Sequence, residues 1–246
     1  MNRLKDKIVV ITGGSGLLGR DIIKSINIAG GKCINLDIQQ DTPDAENFFY
    51  CDVTSESSVK AVIELIVSKF GRIDGLVNNA YPRTGDWGTR FEEISYTSWQ
   101  QNIDWQLNSY FMLTQKVAKQ MISQKSGSIV TMSSIYGMVG PDFTVYEGTG
   151  MTMPTAYSAI KGGLINFTRY IASYLGPHNI RANCVSPGGI FDNQNPIFVK
   201  NYEAKVPMRR MGLPDDISPV VVFLLSDDAK YLTGQNLAVD GGWTCI

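Results

Sequence analysis

The chain is poor in the residues that metal and disulfide chemistry require. Of its 246 residues one is a histidine, His178, and four are cysteines, Cys33, Cys51, Cys184 and Cys245, all far apart. One imidazole and four separated thiols do not give zinc-ligand spacing or a disulfide framework, so a metal is not expected and a reducing compartment is. Charge of one sign is also lacking. The 22 basic residues stand against 23 acidic ones, a net charge of −1, and no basic run could track a phosphate backbone, so nucleic acid is excluded as an expected partner. No apolar run approaches membrane-spanning length, and Met1-Asn2-Arg3-Leu4-Lys5-Asp6-Lys7 leads straight into a short apolar strand without the core of a signal peptide. A cytoplasmic protein without membrane attachment is the expectation. Pro/Ser-rich linkers, charge blocks and internal repeats are missing as well, which predicts a single domain over residues 1–246.

What is present is an alternation of short apolar runs and amphipathic stretches. A strand over Lys7–Thr12 is followed by a glycine turn and a helix whose Leu18, Ile22, Ile23 and Ile26 share a face, stopped by Gly30-Gly31. Strands follow at Lys32–Asp37 and Phe48–Cys51, then a helix capped by Thr54 or Ser55 and ended by Gly71, and a strand at Ile73–Asn78. The pattern continues with helices around Trp99–Ser123, Thr155–Leu175 and Asp215–Leu225, and strands at Ser128–Met132, Ile180–Val185 and Leu237–Val239. Short buried strands joined by helices predict an α/β fold: a doubly wound, Rossmann-type parallel sheet covered on both faces. Such sheets bind ligands at the carboxyl ends of their strands, where Gly13, Asp37, Asn78, Ser134 and Pro187 all fall.

Thr12-Gly13-Gly14-Ser15-Gly16-Leu17-Leu18-Gly19 lies where the first strand turns into the first helix. Glycines there let the backbone approach a pyrophosphate, and the helix N-terminus supplies N–H donors. Asp37, at the tip of the second strand, is placed to accept both hydroxyls of an adenosine ribose and would repel a 2′-phosphate. Neither Ser15 nor Ile38 offers a compensating cation, so NAD is expected over NADP. Asp52-Val53 ends the third strand, where Asp52 either holds the adenine amino group or caps the next helix.

Tyr157-Ser158-Ala159-Ile160-Lys161 lies on a predicted helix, and the four-residue spacing sets phenol and ammonium on one face. An adjacent ammonium favours the phenolate and brings the tyrosine toward the working range of an acid/base catalyst. Ser134 follows the fifth strand and can hydrogen-bond the same substrate oxygen as hydride moves.

Together these pieces resemble the short-chain dehydrogenase/reductase family over essentially the whole chain. The matching residues are Thr12–Gly19, Asp37, Asp52-Val53, Asn78-Asn79-Ala80, Ser133-Ser134, Tyr157 through Lys161, Ile180-Arg181-Ala182-Asn183, Ser186-Pro187-Gly188 and Val239-Asp240-Gly241-Gly242. The resemblance implies that Tyr157 is the acid/base, that Lys161 also binds the nicotinamide ribose and that Ser134 orients the substrate. It further implies that Asn78 and Ala80, with Asn79 between them, line the cofactor groove, that Pro187, Gly188 and the Ile190 backbone flank the nicotinamide, and that the chain forms a homotetramer or homodimer. Three departures stand out. Gly16 and Leu17 shift the glycine pattern toward that of the extended, sugar-nucleotide branch. Gln106, with Asn108 nearby, occupies the place of the family's catalytic Asn, where it either relays protons or fills space. Asp192 replaces the usual Thr after the Pro-Gly motif.

Two segments, residues 135–156 and 191–210, are expected on the substrate side. The first holds Tyr136, Glu147 and Met151-Thr152-Met153 between catalytic residues; the second, with Asn193 among its polar residues, reads as a mobile lid. Arg83, just after the cofactor-lining strand, could meet an anionic group. The expected substrate is a polar, hydroxylated small molecule rather than a steroid or lipid, and the combination resembles members associated with bacterial surface-glycan and flagellin-sugar synthesis of the legionaminic type. Interconversion of a secondary alcohol and a ketone is the leading reading. A sugar-nucleotide epimerase or dehydratase with retained NAD, and a non-catalytic NAD-sensing protein, are the alternatives.

Overall fold

A computed structural model describes residues 2–39 and 46–246. One seven-stranded sheet organises them, with strands β1 (Ile8–Thr12), β2 (Lys32–Asp37), β3 (Phe48–Tyr50), β4 (Gly75–Asn78), β5 (Gly127–Met132), β6 (Ile180–Pro187) and β7 (Asn236–Val239). Every pairing is parallel, in the order β3-β2-β1-β4-β5-β6-β7. The order reverses between β1 and β4, which opens a crevice at their carboxyl ends.

Strand residues alternate between the two faces, so each strand feeds two cores. From β1, Val10 joins one cluster with Ile34, Leu36 and Ile129, while Val9 and Ile11 join the other with Val77, Val130 and Val185. The first cluster is covered by α2 (Glu56–Phe70), α4 (Ser109–Gln124) and α5 (Thr155–Leu175), through Val59, Ile66, Val117, Met121 and Ile171. The second is covered by α1 (Leu17–Ile28) and α7 (Pro214–Leu225), through Ile22, Ile26, Ile217, Val221 and Leu224. Each fully buried aliphatic side chain in these layers contributes about 1.5–3 kcal/mol. Helix boundaries follow from local chemistry: the Ser55 hydroxyl caps α2 by accepting from Ser58 N, and Gly71 ends it at φ 74°.

Three elements differ from the sequence expectation. The fourth strand begins at Gly75, not Ile73, because the Gln124 amide takes both Ile73 N (2.9 Å) and Ile73 O (2.9 Å) out of the ladder. The helix expected around Trp99–Ser123 contains a π-helical turn, Asp104–Asn108, between α3 (Tyr96–Ile103) and α4. The segment expected as a lid contains α6 (Pro196–Lys205), whose Phe198 and Tyr202 form a third apolar cluster with Val145, Val206 and Met211. Apolar residues every three to four positions, Phe198, Tyr202 and Val206, gave that helix a buried face.

Candidate active site

The turn after β1 is shaped by what its glycines lack. A Cβ on Gly19 would lie 2.2 Å from the Gly13 carbonyl oxygen, and one on Gly13, at φ 65°, would lie 2.8 Å from Ala80 Cα. Gly16 faces outward with nothing nearer than 3.4 Å. It is the N-cap of α1 and gives the helix no side-chain cap. The first N–H groups of α1 therefore point out of an open cradle, a ready anion site. Asp37 is half-buried beside it, with Oδ2 accepting from Ser15 N (3.0 Å) and Oδ1 from Ile38 N (2.7 Å) and Gln39 N (3.2 Å). Leu17 and Ile38 are exposed apolar residues on the rim. An uncapped helix end, a Cβ-free approach and an adjacent carboxylate fit a dinucleotide: the pyrophosphate on the N–H groups, the ribose hydroxyls on Asp37.

Asn78 does not line this groove. It is 1% exposed and its Nδ2 donates to Thr114 Oγ1 (2.9 Å), so the side chain ties β4 to α4 inside the core. Asn79 instead fixes the strand ends, donating to Thr12 O (3.1 Å) and Gly13 O (3.0 Å). Ala80 N donates to Thr12 Oγ1 (3.1 Å), which brings its Cα against Gly13. Asp52 Oδ1 accepts from Thr54 N (2.9 Å) and Thr54 Oγ1 (2.7 Å), a local turn that leads to the Ser55 cap beside buried Val53.

The catalytic candidates converge because β5 and α5 are locked backbone to side chain. Ser133 Oγ donates to Lys161 O (2.9 Å), and a Cβ on Gly137 would lie 2.6 Å from the Lys161 carbonyl carbon, so only glycine lets the chain after Ser134 approach α5. Ser134 is 6% exposed; its hydroxyl accepts from Tyr136 N (3.2 Å) and lies close enough to the Tyr157 phenol to favour its ionised form. Lys161 Nζ donates to Met132 O (3.0 Å) and sits 5.4 Å from the Tyr157 ring centre, 5.6 Å from that of Tyr81 and 5.9 Å from that of Tyr110. Burial pushes the Tyr157 phenol up, against the opposing effect of the nearby Ser134 hydroxyl. The lowering expected from the nearby ammonium is absent, because burial holds Lys161 at about 8, so that it has lost its proton before the raised phenol titrates.

Gln106 lies in the π-helical turn, 1% exposed, with neither Nε2 nor Oε1 hydrogen-bonded to the protein. Such turns favour functional positions, and this one packs on α5, where Leu107 meets Gly163. Asn108 is exposed and paired with Asp104 (2.9 Å), away from the site.

At the far edge, Gly188 N donates to Val239 O (3.0 Å), and a Cβ there would lie 2.9 Å from both Asp240 Cα and the Tyr202 hydroxyl. Pro187 ends β6, and the Ile190 carbonyl accepts from Gln194 Nε2 (2.7 Å). Asp240 organises the C-terminal turn by accepting from Gly242 N (3.0 Å) and Thr244 N (2.9 Å).

The expected substrate contacts do not form one cluster. Tyr136 is 8% exposed and edge-on to Trp243. Glu147 is exposed and its carbonyl accepts from Asn201 Nδ2 (3.1 Å). Asn193 is exposed at φ 56°, a left-handed turn that accounts for its residue type. Arg83 is exposed, with its guanidinium 5.5 Å from the Tyr81 ring centre. Sequence reasoning missed Tyr81, Trp87 and Tyr110, the aromatic rings around Tyr157 and Lys161. Only Tyr81, directly after Asn78-Asn79-Ala80, stood where the sequence could have pointed to it; Trp87 and Tyr110 lie farther along the chain.

Such a sheet, cradle and Ser/Tyr/Lys group define a nucleotide-linked oxidoreductase. A family profile described as Enoyl-(Acyl carrier protein) reductase matches residues 29–244. The chain is 35% identical to the post-translational flagellin modification protein A of Campylobacter coli, over 98% of this chain and 99% of that protein. It is 33% identical to a 7alpha-hydroxysteroid dehydrogenase of Bacteroides fragilis, over 99% and 96%. Among solved structures, a short chain dehydrogenase from Leptospira borgpetersenii with bound NAD+ superimposes with a TM-score of 0.90 at 35% identity, covering 98% of this chain and 94% of that one. The chain belongs to the short-chain dehydrogenase/reductase family, oxidoreductases that act on CH–OH or carbonyl groups. No described helix is long and apolar enough to cross a membrane.

Proposed function

We propose that the protein is a cytoplasmic NAD-dependent dehydrogenase that interconverts a secondary alcohol and a ketone on a polar, sugar-like small molecule. The observation that carries this reading is the convergence of Ser134, Tyr157 and buried Lys161, with Ser133 Oγ bonded to Lys161 O and Lys161 Nζ 5.4 Å from the Tyr157 ring centre, at the strand edge that also holds the glycine cradle. Bound NAD supplies a hydride acceptor. Tyr157 removes or returns the proton at the substrate oxygen, and Ser134 donates a hydrogen bond to that oxygen as charge develops. Lys161 binds the nicotinamide ribose and keeps positive charge near the phenol. Gln106 receives a water in its unpaired amide and passes protons between Lys161 and solvent.

Gly13, Ser15, Gly16, Leu17, Leu18 and Gly19 hold the pyrophosphate, Asp37 the ribose, and Asp52 and Val53 the adenine; Asn79, Ala80, Pro187, Gly188 and Ile190 border the nicotinamide half. Asn78 acts from behind the groove. Asp37, whose carboxylate would face a 2′-phosphate, supports NAD over NADP, as does the NAD+ bound in the Leptospira relative. A sugar-like substrate is supported by the flagellin-modification relative and by exposed Arg83, beside Tyr81. Assembly as a homotetramer or homodimer is supported by exposed aromatic residues on α4 and α5, Phe111, Tyr170 and Tyr174.

Titration with both cofactors, then a panel of sugars, sugar acids and nucleotide sugars followed by NADH absorbance, tests the reading. NAD(H) is expected to bind at least tenfold tighter than NADP(H), about 1.4 kcal/mol, and at least one sugar to be oxidised. Equal cofactor affinities would remove Asp37 from the ribose, and a panel without turnover would remove the sugar.

A further inference from the structure

The loop from β4 toward α3 places three aromatic rings in mutually perpendicular contact at the reaction centre. Tyr81 and Tyr157 have ring centres 5.8 Å apart at 84°, Trp87 and Tyr157 6.2 Å apart at 75°, and Tyr81 and Trp87 5.7 Å apart at 83°. A ring cluster of this kind in a protein core excludes solvent, but Tyr81 keeps 38% of its surface exposed. Trp87 is only half-buried and packs against the cluster of Tyr110, Ala156, Ile160 and Leu164, so the rings form a wall of the site rather than part of a core.

The wall is held by a buried polar network that has no other evident use. Asn102, 1% exposed, accepts from Thr84 N (3.2 Å) and donates to Thr84 Oγ1 (2.7 Å). Ser98, 4% exposed, donates to Asp86 Oδ1 (2.7 Å). These bonds clamp residues 84–86 to α3 and so set the loop that carries Tyr81 and Trp87. Rotamers locked by packing and neighbouring hydrogen bonds are what a binding surface needs to hold its geometry. At the open end of the wall Arg83 stands exposed, and among the described residues it makes no ion pair with an acidic side chain.

We propose that Tyr81 and Trp87 are the specificity-determining wall of the substrate site, stacking the C–H face of a pyranose ring beside Tyr157, and that Arg83 pairs with an anionic substituent on that ring. The inference deepens the sugar reading above and rests on it. An aromatic face is apolar yet favours polarised C–H groups, which a pyranose offers on one side while its hydroxyls point to the rim. A guanidinium fork with no internal carboxylate matches a carboxylate or a phosphate. The substrate class is therefore an anionic pyranose, a sugar acid or a sugar phosphate.

Calorimetric titration of the NADH-loaded enzyme with glucose, glucuronate and glucose 6-phosphate tests the assignment, and turnover of the same sugars with NAD is followed in parallel. One or both charged sugars are expected to bind at least tenfold tighter than glucose, and which of them does so separates carboxylate from phosphate. Arg83→Ala is expected to erase that preference. Trp87→Leu is expected to weaken all three sugars at least fivefold, and Trp87→Phe to recover most of the loss with the wild-type melting temperature. Glucose bound as tightly as the charged sugars, no binding of any of the three, or an Arg83→Ala variant that keeps the preference would overturn the wall. Charged sugars bound with the expected selectivity but never oxidised would leave the wall standing and sink the dehydrogenase reading on sugars. Sugars oxidised equally well by wild type and Arg83→Ala would do the reverse.

Discussion

The glycine turn after β1 and the segments around Tyr157 meet at the same edge of the sheet but are built in opposite ways. The turn works by missing atoms: Gly13, Gly16 and Gly19 leave room for backbone to approach backbone and for a ligand to approach both. Gly13 and Asp37, the two ends of the proposed cofactor cradle, lie close together in the chain and are joined through Ser15. The catalytic side works by gathering side chains from the loop after β4, the π-helical turn, the end of β5 and α5, with contacts that reach from Tyr81 to Lys161, about a third of the chain. A local device is robust to distant change, whereas a gathered one transmits every packing error to the reacting atoms.

Mutations at the two regions sharpen this contrast. The largest effect is expected from Tyr157→Phe, which removes only the proton-transfer hydroxyl: turnover falls by roughly a thousandfold, about 4 kcal/mol in activation, while NADH affinity stays within twofold in a fluorescence titration. A residual rate above a few per cent would take the acid/base role from Tyr157.

Gly19→Ala comes next. Its Cβ would meet the Gly13 carbonyl oxygen at 2.2 Å and Gly14 Cα at 2.6 Å, and backbone cannot step aside cheaply. A loss of about 3 kcal/mol in denaturant unfolding is expected, together with weak NADH binding. Gly16→Ala separates the two consequences, because its Cβ meets nothing nearer than 3.4 Å and its φ of −79° suits alanine. That variant should keep its stability and lose cofactor affinity. If both variants lost stability equally, the cradle would be a folding element with no ligand of its own.

Lys161 tests the gathered side through pH. Its folded pKa of about 8 lies below the unfolded 10.5 because burial disfavours the charge. The unfolded chain then binds more protons between these values, so the burden on folding is full below pH 8 and relieved as pH rises toward 10.5. In the cofactor-free enzyme at pH 7, Lys161→Met is expected to raise stability by about 2 kcal/mol and to abolish turnover, with the gain shrinking as pH rises from 8 to 10.5. A destabilised variant at pH 7 would mean that the bond to Met132 O and the surrounding rings outweigh the cost of burial.

The smallest effect is expected at Gln106. Gln106→Ala should slow turnover about tenfold at saturating substrate and cofactor, and Gln106→Asn should restore most of the rate. A full rate with lowered thermal stability in Gln106→Ala would make the amide a packing residue.

How much of this was legible in advance follows from contact range. Most strands and helices, the glycine turn, Asp37 at the end of β2 and the Tyr157/Lys161 spacing on α5 are local patterns, and each lies on the element its pattern predicted. Asn78 and Ile73 were misjudged because their roles depend on Thr114 and Gln124, far along the chain. The helix Pro196–Lys205 was hidden within a polar segment because its apolar partners, Val145 and Met211, lie in other segments. Tyr81 and Trp87 carried no motif at all, and their meaning arises only where α5 brings Tyr157 against them.

The sequence by itself determined the class of fold and the chemistry of the reacting groups, because periodicity, turn glycines and the spacing of Tyr157 and Lys161 act over a few residues. Tertiary structure alone decided that burial would hold the Tyr157 phenol up and Lys161 near 8, that Gln106 would sit buried in a π-helical turn, and that an aromatic wall would stand beside the site. Desolvation and ring contacts depend on which distant segments share a volume, and that is settled only when the sheet has closed its two faces.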